Sequence, residues 1–320
     1  MRLLFILDPL DGLKIKKDTS LALMREAARR GHTLFVSMQG DLLLRQQQAR
    51  IITRLFAFTE GKNWYALGDA LEAAPADFDA VLMRKDPPFD NEYLYSTYLL
   101  ELAAKQGARI LNNPEQVRGW NEKLSVARFP QFAPEFLVTR HTGLIRDFLA
   151  EHGDIVVKPL DGMGGSGVFR LHSTDHNTSV ILETITHFEH RTIMAQRYLP
   201  EIKAGDKRII VINGEPLPYV LARIPKAGET RGNLAAGGTG VAQPLTARDH
   251  EIASTVGVKL KKQGLFLVGL DVIGECLTEI NVTSPTGMVE IAAQTDCDPA
   301  FIFMDALEIE LAKPLEQALE

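Results

Sequence analysis

Only two cysteines occur in 320 residues, Cys276 and Cys297, with no CxxC spacing and no framework. That excludes a disulfide scaffold and points to a reducing compartment. Neither cysteine has a basic neighbour to lower its pKa, so a thiol nucleophile lacks support. No apolar run approaches the roughly 18 residues of a membrane span. The stretch Met1–Leu7 briefly mimics a signal peptide, but Asp8 and Pro9 cut it short and no small-residue cleavage site follows. The expected location is the cytoplasm, away from membranes. Lys and Arg number 35 against 41 Asp and Glu, a net charge of -6, with no basic run long enough to track a phosphate backbone. Nucleic acid is thereby set aside as a main partner. The eight histidines form no metal cluster, and His250-Glu251 lacks the second histidine a zinc helix needs. The Walker pattern GxxxxGK[ST] and the GxSxG elbow are both missing.

What remains is an ordinary globular composition, 45% hydrophobic and 24% charged, in a chain too long for one small core. Two or three domains around a cleft follow. Leu3–Leu7, His32–Met38 and Ala80–Met83 read as strands. They alternate with a helix whose apolar face carries Leu21, Met24 and Ala28, and with a second from about Glu92 to Lys105. Arg109-Ile110-Leu111 follows, and Asn113-Pro114 opens a further helix. This alternation argues for an open α/β domain with a parallel sheet covered on both faces, over residues 1–121. Beyond it the pattern becomes mixed α+β. Strands are expected at Phe136–Thr139, Ile155–Lys158, Val168–Leu171, Thr192–Arg197, Lys207–Ile212, Leu217–Ile224, Phe266–Ile273 and Leu277–Val282, with helices near 143–151, over 246–262 and from Asp298 onward. Asn213-Gly214 between two β-rich runs is a hairpin turn. The segment 225–240 holds five glycines and little to bury. It is a long loop, either a lid or a disordered link, and its Arg231 favours the lid.

Three groups of residues could carry chemistry. In the first, the strand Ile155–Pro159 ends on Lys158 and runs into Asp161-Gly162-Met163-Gly164-Gly165-Ser166-Gly167. Glycines let backbone N–H groups close on a ligand's oxygens, and the lysine adds a fixed positive charge. A strand follows where a Rossmann loop would open a helix, so this loop caps a β-hairpin and covers a phosphate as a flap. In the second, Glu279 and Asn281 are two apart on one strand face, and Asp271 can lie opposite on its antiparallel neighbour. Three oxygen ligands suit Mg²⁺. The third is a set of cations, Lys123, Lys158, Arg208, Arg223 and Arg231, bracketing the loop and the carboxylates as phosphoryl transfer requires. Arg84, at a strand end of the first domain, either forks onto a substrate carboxylate or makes a structural salt bridge.

Together these residues resemble the ATP-grasp ligases, and within them the prokaryotic-type glutathione synthetases. The matching stretches are Asp8-Pro9, Ile15–Asp18, Met83–Asp90, Lys158–Gly165, Asp206–Arg208, Ala222–Pro225, Gly228–Gly238 and Leu277–Pro285. The resemblance spans nearly the whole chain and weakens after Thr286. It implies an N-terminal substrate domain (1–121), a central ATP-grasp subdomain with the flap (122–200) and a C-terminal one with the metal site and lid (201–320). It implies ligation of γ-glutamylcysteine to glycine through an acyl phosphate, with ATP as co-substrate, Mg²⁺ or Mn²⁺ as the metal, and a homotetramer. Carried over by residue, Lys123, Lys158 and the loop Asp161, Gly162, Met163, Gly164 and Gly165 hold ATP. Gln196, Tyr198 and Leu199 line the adenine hinge, and Asp206 meets the ribose. Asp271, Glu279 and Asn281 hold the metal. Arg208 and Arg223 neutralise the acyl phosphate, while Arg231 and Asn233 lie on the lid. Two other readings stay open: a different ATP-grasp ligase, of D-alanine–D-alanine or glutamate-adding type, and a non-catalytic nucleotide-binding protein of the same fold.

Overall fold

The computed structural model describes residues 1–60, 63–229, 231–234 and 237–314. Thr230, Ala235 and Ala236 of the loop 225–240, and any continuation of the terminal helix past residue 314, lie outside the described residues.

The chain forms strands β1 (Arg2–Leu7), β2 (Thr33–Met38), β3 (Leu42–Arg45), β4 (Gln48–Phe58), β5 (Tyr65–Leu67), β6 (Leu71–Ala73), β7 (Ala80–Met83) and β8 (Ile110–Leu111) in one sheet. Helices α1 (Thr19–Arg29), α2 (Asn91–Lys105) and α3 (Pro114–Gly119) connect them. Each helix opens on a side-chain cap: Asp18 accepts from Leu21 N, Asp90 from Tyr93 N, and Asn113 from Glu115 N and Gln116 N. Strands β2, β1, β7 and β8 run parallel, as expected. Residues 42–73 depart from the expectation, because β3, β5 and β6 pair antiparallel with the long β4, which itself runs antiparallel to β2. The turn joining β3 to β4 is Gln46-Gln47, both at positive φ, so the usual Asn or Gly turn signal is absent. On α1 the buried apolar residues are Leu21, Leu23, Met24 and Ala27, while Ala28 faces outward, one position away from the expected stripe.

A second sheet holds β9 (Phe136–Thr139), β10 (Asp154–Pro159), β11 (Phe169–His172) and β12 (Ile193–Arg197), in the order β11-β10-β12-β9, with α4 (Thr142–His152) and α5 (Thr178–Thr186) packed on it. A third holds β13 (Asp206–Ile212), β14 (Glu215–Ile224), β15 (Thr239–Pro244), β16 (Leu267–Ile273) and β17 (Cys276–Asn281), in the order β15-β14-β13-β16-β17. Helices α6 (Ala247–Lys261), α7 (Met288–Gln294) and α8 (Pro299–Leu311) complete the chain. The β13–β14 turn is Asn213-Gly214 with both φ positive, as the dipeptide predicts.

The cores divide unevenly. Two large apolar clusters run through both the first and third sheets. One joins Leu4, Ile6 and Met83 to Val211, Leu270 and Val272, and the other joins Phe5 and Leu82 to Ile210, Met288 and Phe303. The second sheet packs α4 and α5 through a small core of its own, Ile145, Leu149, Ile155, Val157, Leu171, Leu182, Ile185, Ile193 and Ala195.

Candidate functional site

Strand alternation makes the site. On β10, Ile155 and Val157 enter the small core, so Val156 and Lys158 face the other way. On β12, Ile193 and Ala195 enter the same core, which leaves Gln196 beside Val156 in register. In the third sheet, Ile209, Val211, Leu270, Val272 and Ile280 pack with Ile252 and Val256 of α6. The opposite face then carries Arg223, Asp206, Arg208, Asp271, Glu279 and Asn281. Registers Asp206↔Arg223, Arg208↔Asp271, Asp271↔Glu279 and Gly269↔Asn281 set them side by side. Gly269 is required there, since a Cβ would stand 2.9 Å from Arg208 Cδ.

These faces border one cavity of about 770 Å³, within the roughly 300–1,000 Å³ usual for ligand pockets. Its wall includes Lys123, Lys158, Gly162, Met163, Gly164, Gly165, Gln196, Tyr198, Leu199, Asp206, Arg208, Arg223, Arg231, Asn233, Asp271, Glu279 and Asn281. Two expected residues are absent from that wall. Asp161 turns outward to an ion pair with Arg191. Arg84 is buried, donating from Nε to Ser20 Oγ (3.1 Å) and from Nη2 to the Pro285 carbonyl (2.9 Å). Its guanidinium thus ties β7 to the wall segment 284–287 without the expected salt bridge, and its Nη1 is buried with no hydrogen-bond partner among the described residues.

The electrostatics pair off across the cavity. Lys123 and Lys158 both approach Glu279 Oε1, at 3.6 and 3.5 Å, and Lys123 Nζ donates to the Gly162 carbonyl at 2.8 Å. Burial works against ionising Glu279, but the two lysines outweigh it and hold its carboxyl below the usual range. Burial draws Lys158 downward, with Glu279 opposing. Arg208 grips Asp271 with two bonds (2.5 and 3.0 Å), and Arg223 Nη2 adds a third at 2.9 Å. Burial alone would raise Asp271, but the two arginines hold it well below the ordinary carboxylate range. Asp206 bonds Arg223 Nη2 at 2.5 Å, yet burial and the nearby carboxylates push it up to about 6.

The two loops meet over this floor. Arg231 Nη1 lies 3.4 Å from the Gly165 carbonyl, and a Cβ on Gly165 would stand 2.8 Å from Asn233 Oδ1. Only glycine, here at φ 82°, allows that approach.

The donor set fits a hard divalent cation. Asp271, Glu279 and Asn281 present oxygens on one face, and Asn281 spends its Nδ2 on the Gly269 carbonyl (3.3 Å), which leaves its amide oxygen as the acceptor end. No group of three His, Cys, Asp or Glu side chains suited to a metal occurs among the described residues, so the amide is needed to complete this set.

Several lining residues escaped the sequence reading as site residues. Lys14 and Lys17 come from the loop after β1, at the carboxyl end of a parallel strand, where α/β sheets bind ligands. That position was the available signal. Glu122 accepts from Thr283 Oγ1 (3.1 Å) and is pushed by burial up to about 6. Arg170 and Glu290 also reach the wall, from positions no spacing marks.

Comparison with known proteins agrees over the full length. The model of the prokaryotic glutathione synthetase N-terminal domain matches residues 1–118, and that of the prokaryotic glutathione synthetase ATP-grasp domain matches 122–296. A glutathione synthetase of Nitrosomonas europaea is 59% identical over 98% of this chain and 99% of its own. One from Neisseria meningitidis is 53% identical over 96% and 98%. Among solved structures, a D-cycloserine synthetase superposes with a TM-score of 0.69 at 16% identity, over 97% of this chain and 99% of its own. D-alanyl-alanine synthetase A of Vibrio cholerae does so at 0.62 and 14%, over 98% of each chain. At such identities they show the fold alone, which is ATP-grasp. The chain belongs to the prokaryotic glutathione synthetase family.

Proposed function

We propose that this chain joins γ-glutamylcysteine to glycine while converting ATP to ADP and phosphate, and that the cavity between the second and third sheets is where it does so. The observation that carries the reading is the charged floor under two touching loops: Lys123 and Lys158 on Glu279, and Arg208 and Arg223 on Asp271.

In this reading the cysteinyl carboxylate oxygen attacks the γ-phosphorus of ATP and ADP leaves. The glycine nitrogen, having lost a proton, then attacks the acyl carbon and phosphate leaves. Lys123 and Lys158 exchange part of their contact with Glu279 for phosphate oxygens. Gln196, Tyr198 and Leu199 take the base, and Asp206 the ribose. Arg208 and Arg223 neutralise charge on the acyl phosphate, where a dry, fixed positive field is worth most. Arg231 and Asn233 close over it with the flap, keeping out the water that would hydrolyse it. Asp271, Glu279 and Asn281 would hold Mg²⁺, with Mn²⁺ as a substitute, and the metal when bound neutralises phosphate charge. Of the expected residues, Asp161 lies off the cavity wall and Arg84 braces the segment 284–287 behind it. The division at 121 and 200 belongs to the same reading, as do a cytoplasmic location, supported by two free cysteines, and a homotetramer. Tyr95 and Tyr98 stand exposed on one face of α2, an apolar surface that assembly would cover. Sedimentation velocity tests the tetramer.

The deciding assay is ADP release over a panel of acid and amine pairs. ADP formed with γ-glutamylcysteine and glycine supports the reading; ADP formed only with D-alanine overturns the substrate assignment.

A further inference from the structure

On the cavity wall, the flap hairpin carries a residue that the ligation scheme above does not use. Arg170 lies on β11 directly across from Val156 on β10, and Val156 lies across from Gln196 on β12, so the three share one row of the sheet. All three border the cavity, together with Tyr198.

The Arg170 guanidinium is fixed from two sides. Its Nε and Nη2 donate to the Asp154 carboxylate at 2.9 and 2.5 Å. It stands over the Tyr198 ring, with the central carbon 3.7 Å from the ring centroid. Asp154 closes the unit, because its carbonyl accepts the Tyr198 backbone N–H at 3.0 Å. A surface ion pair alone would be worth little. Here the pair holds a planar cation close over an aromatic ring, a contact that arginine makes better than lysine. Tyr198 lies just beyond the end of β12, where that one backbone bond fixes the main chain and the cation on its face fixes the ring.

We propose that Arg170, clamped by Asp154, is a positioning residue that fixes the Tyr198 ring as the wall against which the nucleotide base packs. This rests on the nucleotide reading above and adds a consequence to it. The hairpin that carries the glycine loop at its tip carries this clamp on its side, so base and phosphates are held by one element.

The test is calorimetric titration of the Mg²⁺-loaded protein with ADP and, separately, with inorganic tripolyphosphate, which has no base. Wild type should bind ADP more tightly than its phosphates alone explain. Arg170→Met should weaken ADP about three- to tenfold, the scale of a cation on an aromatic face, and leave tripolyphosphate unchanged. Arg170→Lys keeps a charge for Asp154 but no plane, and should resemble the methionine variant. Full rescue by lysine would show that only the ion pair matters and overturn the proposal. Equal losses for ADP and tripolyphosphate would show a general disturbance of the sheet and overturn it too. If Arg170→Met binds ADP as wild type does while Tyr198→Ala does not, the base site stands and the Arg170 role falls. If wild type fails to bind ADP at all, the nucleotide reading itself is wrong.

Discussion

The two sheets that face the cavity are built by the same alternation of strand residues and anchored very differently. The third sheet shares its apolar side with the rest of the molecule, in clusters of 35 and 26 buried residues among those described. The second sheet, with α4 and α5, has nine of its own and enters the larger shared cluster through Met194, with Phe136 and Val138 packed against it. Burying an apolar side chain contributes roughly 1.5–3 kcal/mol, so the second sheet is held by far less. The charge follows the anchoring. Asp206, Arg208, Arg223, Asp271 and Glu279 stand on the large-core sheet, whereas the small-core sheet offers only Lys158 and Arg170 as charges, with a glycine loop, Gln196 and Tyr198. Groups that must keep close geometry under strong mutual fields sit on the rigid jaw. In the proposed reading, the part that admits and releases the nucleotide sits on the lighter one.

The sharpest way to break this comparison is to remove charge from the rigid jaw. Glu279→Gln should lower turnover by at least about a hundredfold, because fixed charge in a dry site is commonly the largest source of transition-state stabilisation. Its second sheet should keep its fold, as read by circular dichroism and thermal melting. Turnover within a few-fold of wild type would detach Glu279 from the chemistry. Next in size is the lid. Thr239 and Gly240 belong to β15, so the replacement stops short of them: exchanging 226–238 for a short glycine linker should cut synthesis and raise ADP formed per peptide bond, since the contact of Arg231 and Asn233 with Gly165 is lost. An unchanged ratio of product to ADP would remove its role as a water shield.

The anchoring itself is tested by paired core truncations. Leu171→Ala in the small core and Leu270→Ala in the shared core should each cost about 2–5 kcal/mol. The first should loosen only the second sheet, seen as faster amide hydrogen exchange in β10 and β12. The second should lower the main unfolding transition. Identical exchange patterns would mean that the two jaws unfold as one.

The smallest effect is a pH dependence. Glu122 titrates at about 6 in the folded protein, raised by burial from its ordinary 4.5. Between those values the folded state binds the extra proton, so stability falls as pH rises through that window. Glu122→Gln should flatten this fall and gain at most about 2 kcal/mol over wild type at pH 7.5 relative to pH 4. Urea unfolding of the ligand-free protein at both pH values measures it. Asp271 and Glu279, held low by their cationic neighbours, contribute in the opposite sense, adding stability that is lost only as pH falls through their depressed pKa values.

Much of this was legible because it is periodic. Lys158, Glu279 and Asn281 follow from strand alternation, and the Asn213-Gly214 turn from its dipeptide. What stayed hidden depends on contacts distant in sequence. Residues 42–73 fold antiparallel through a Gln46-Gln47 turn that carries no turn residue. Arg84 reads equally as a substrate fork or a salt bridge, and nothing in the sequence shows that Ser20 and Pro285 take its Nε and Nη2. Arg170 looks like any strand arginine until Asp154 and Tyr198 enclose it. The loop after β1 and the segment 284–287 line the cavity together, and no spacing shows it, because they meet only in the folded chain.

A crystal structure with a non-hydrolysable ATP analogue and magnesium addresses the central claim most directly. The account predicts phosphates within hydrogen-bonding distance of Lys123 and Lys158, metal bound by Glu279 and Asn281, and base beside Tyr198. An analogue ordered elsewhere, with Glu279 still bound to both lysines, would contradict it.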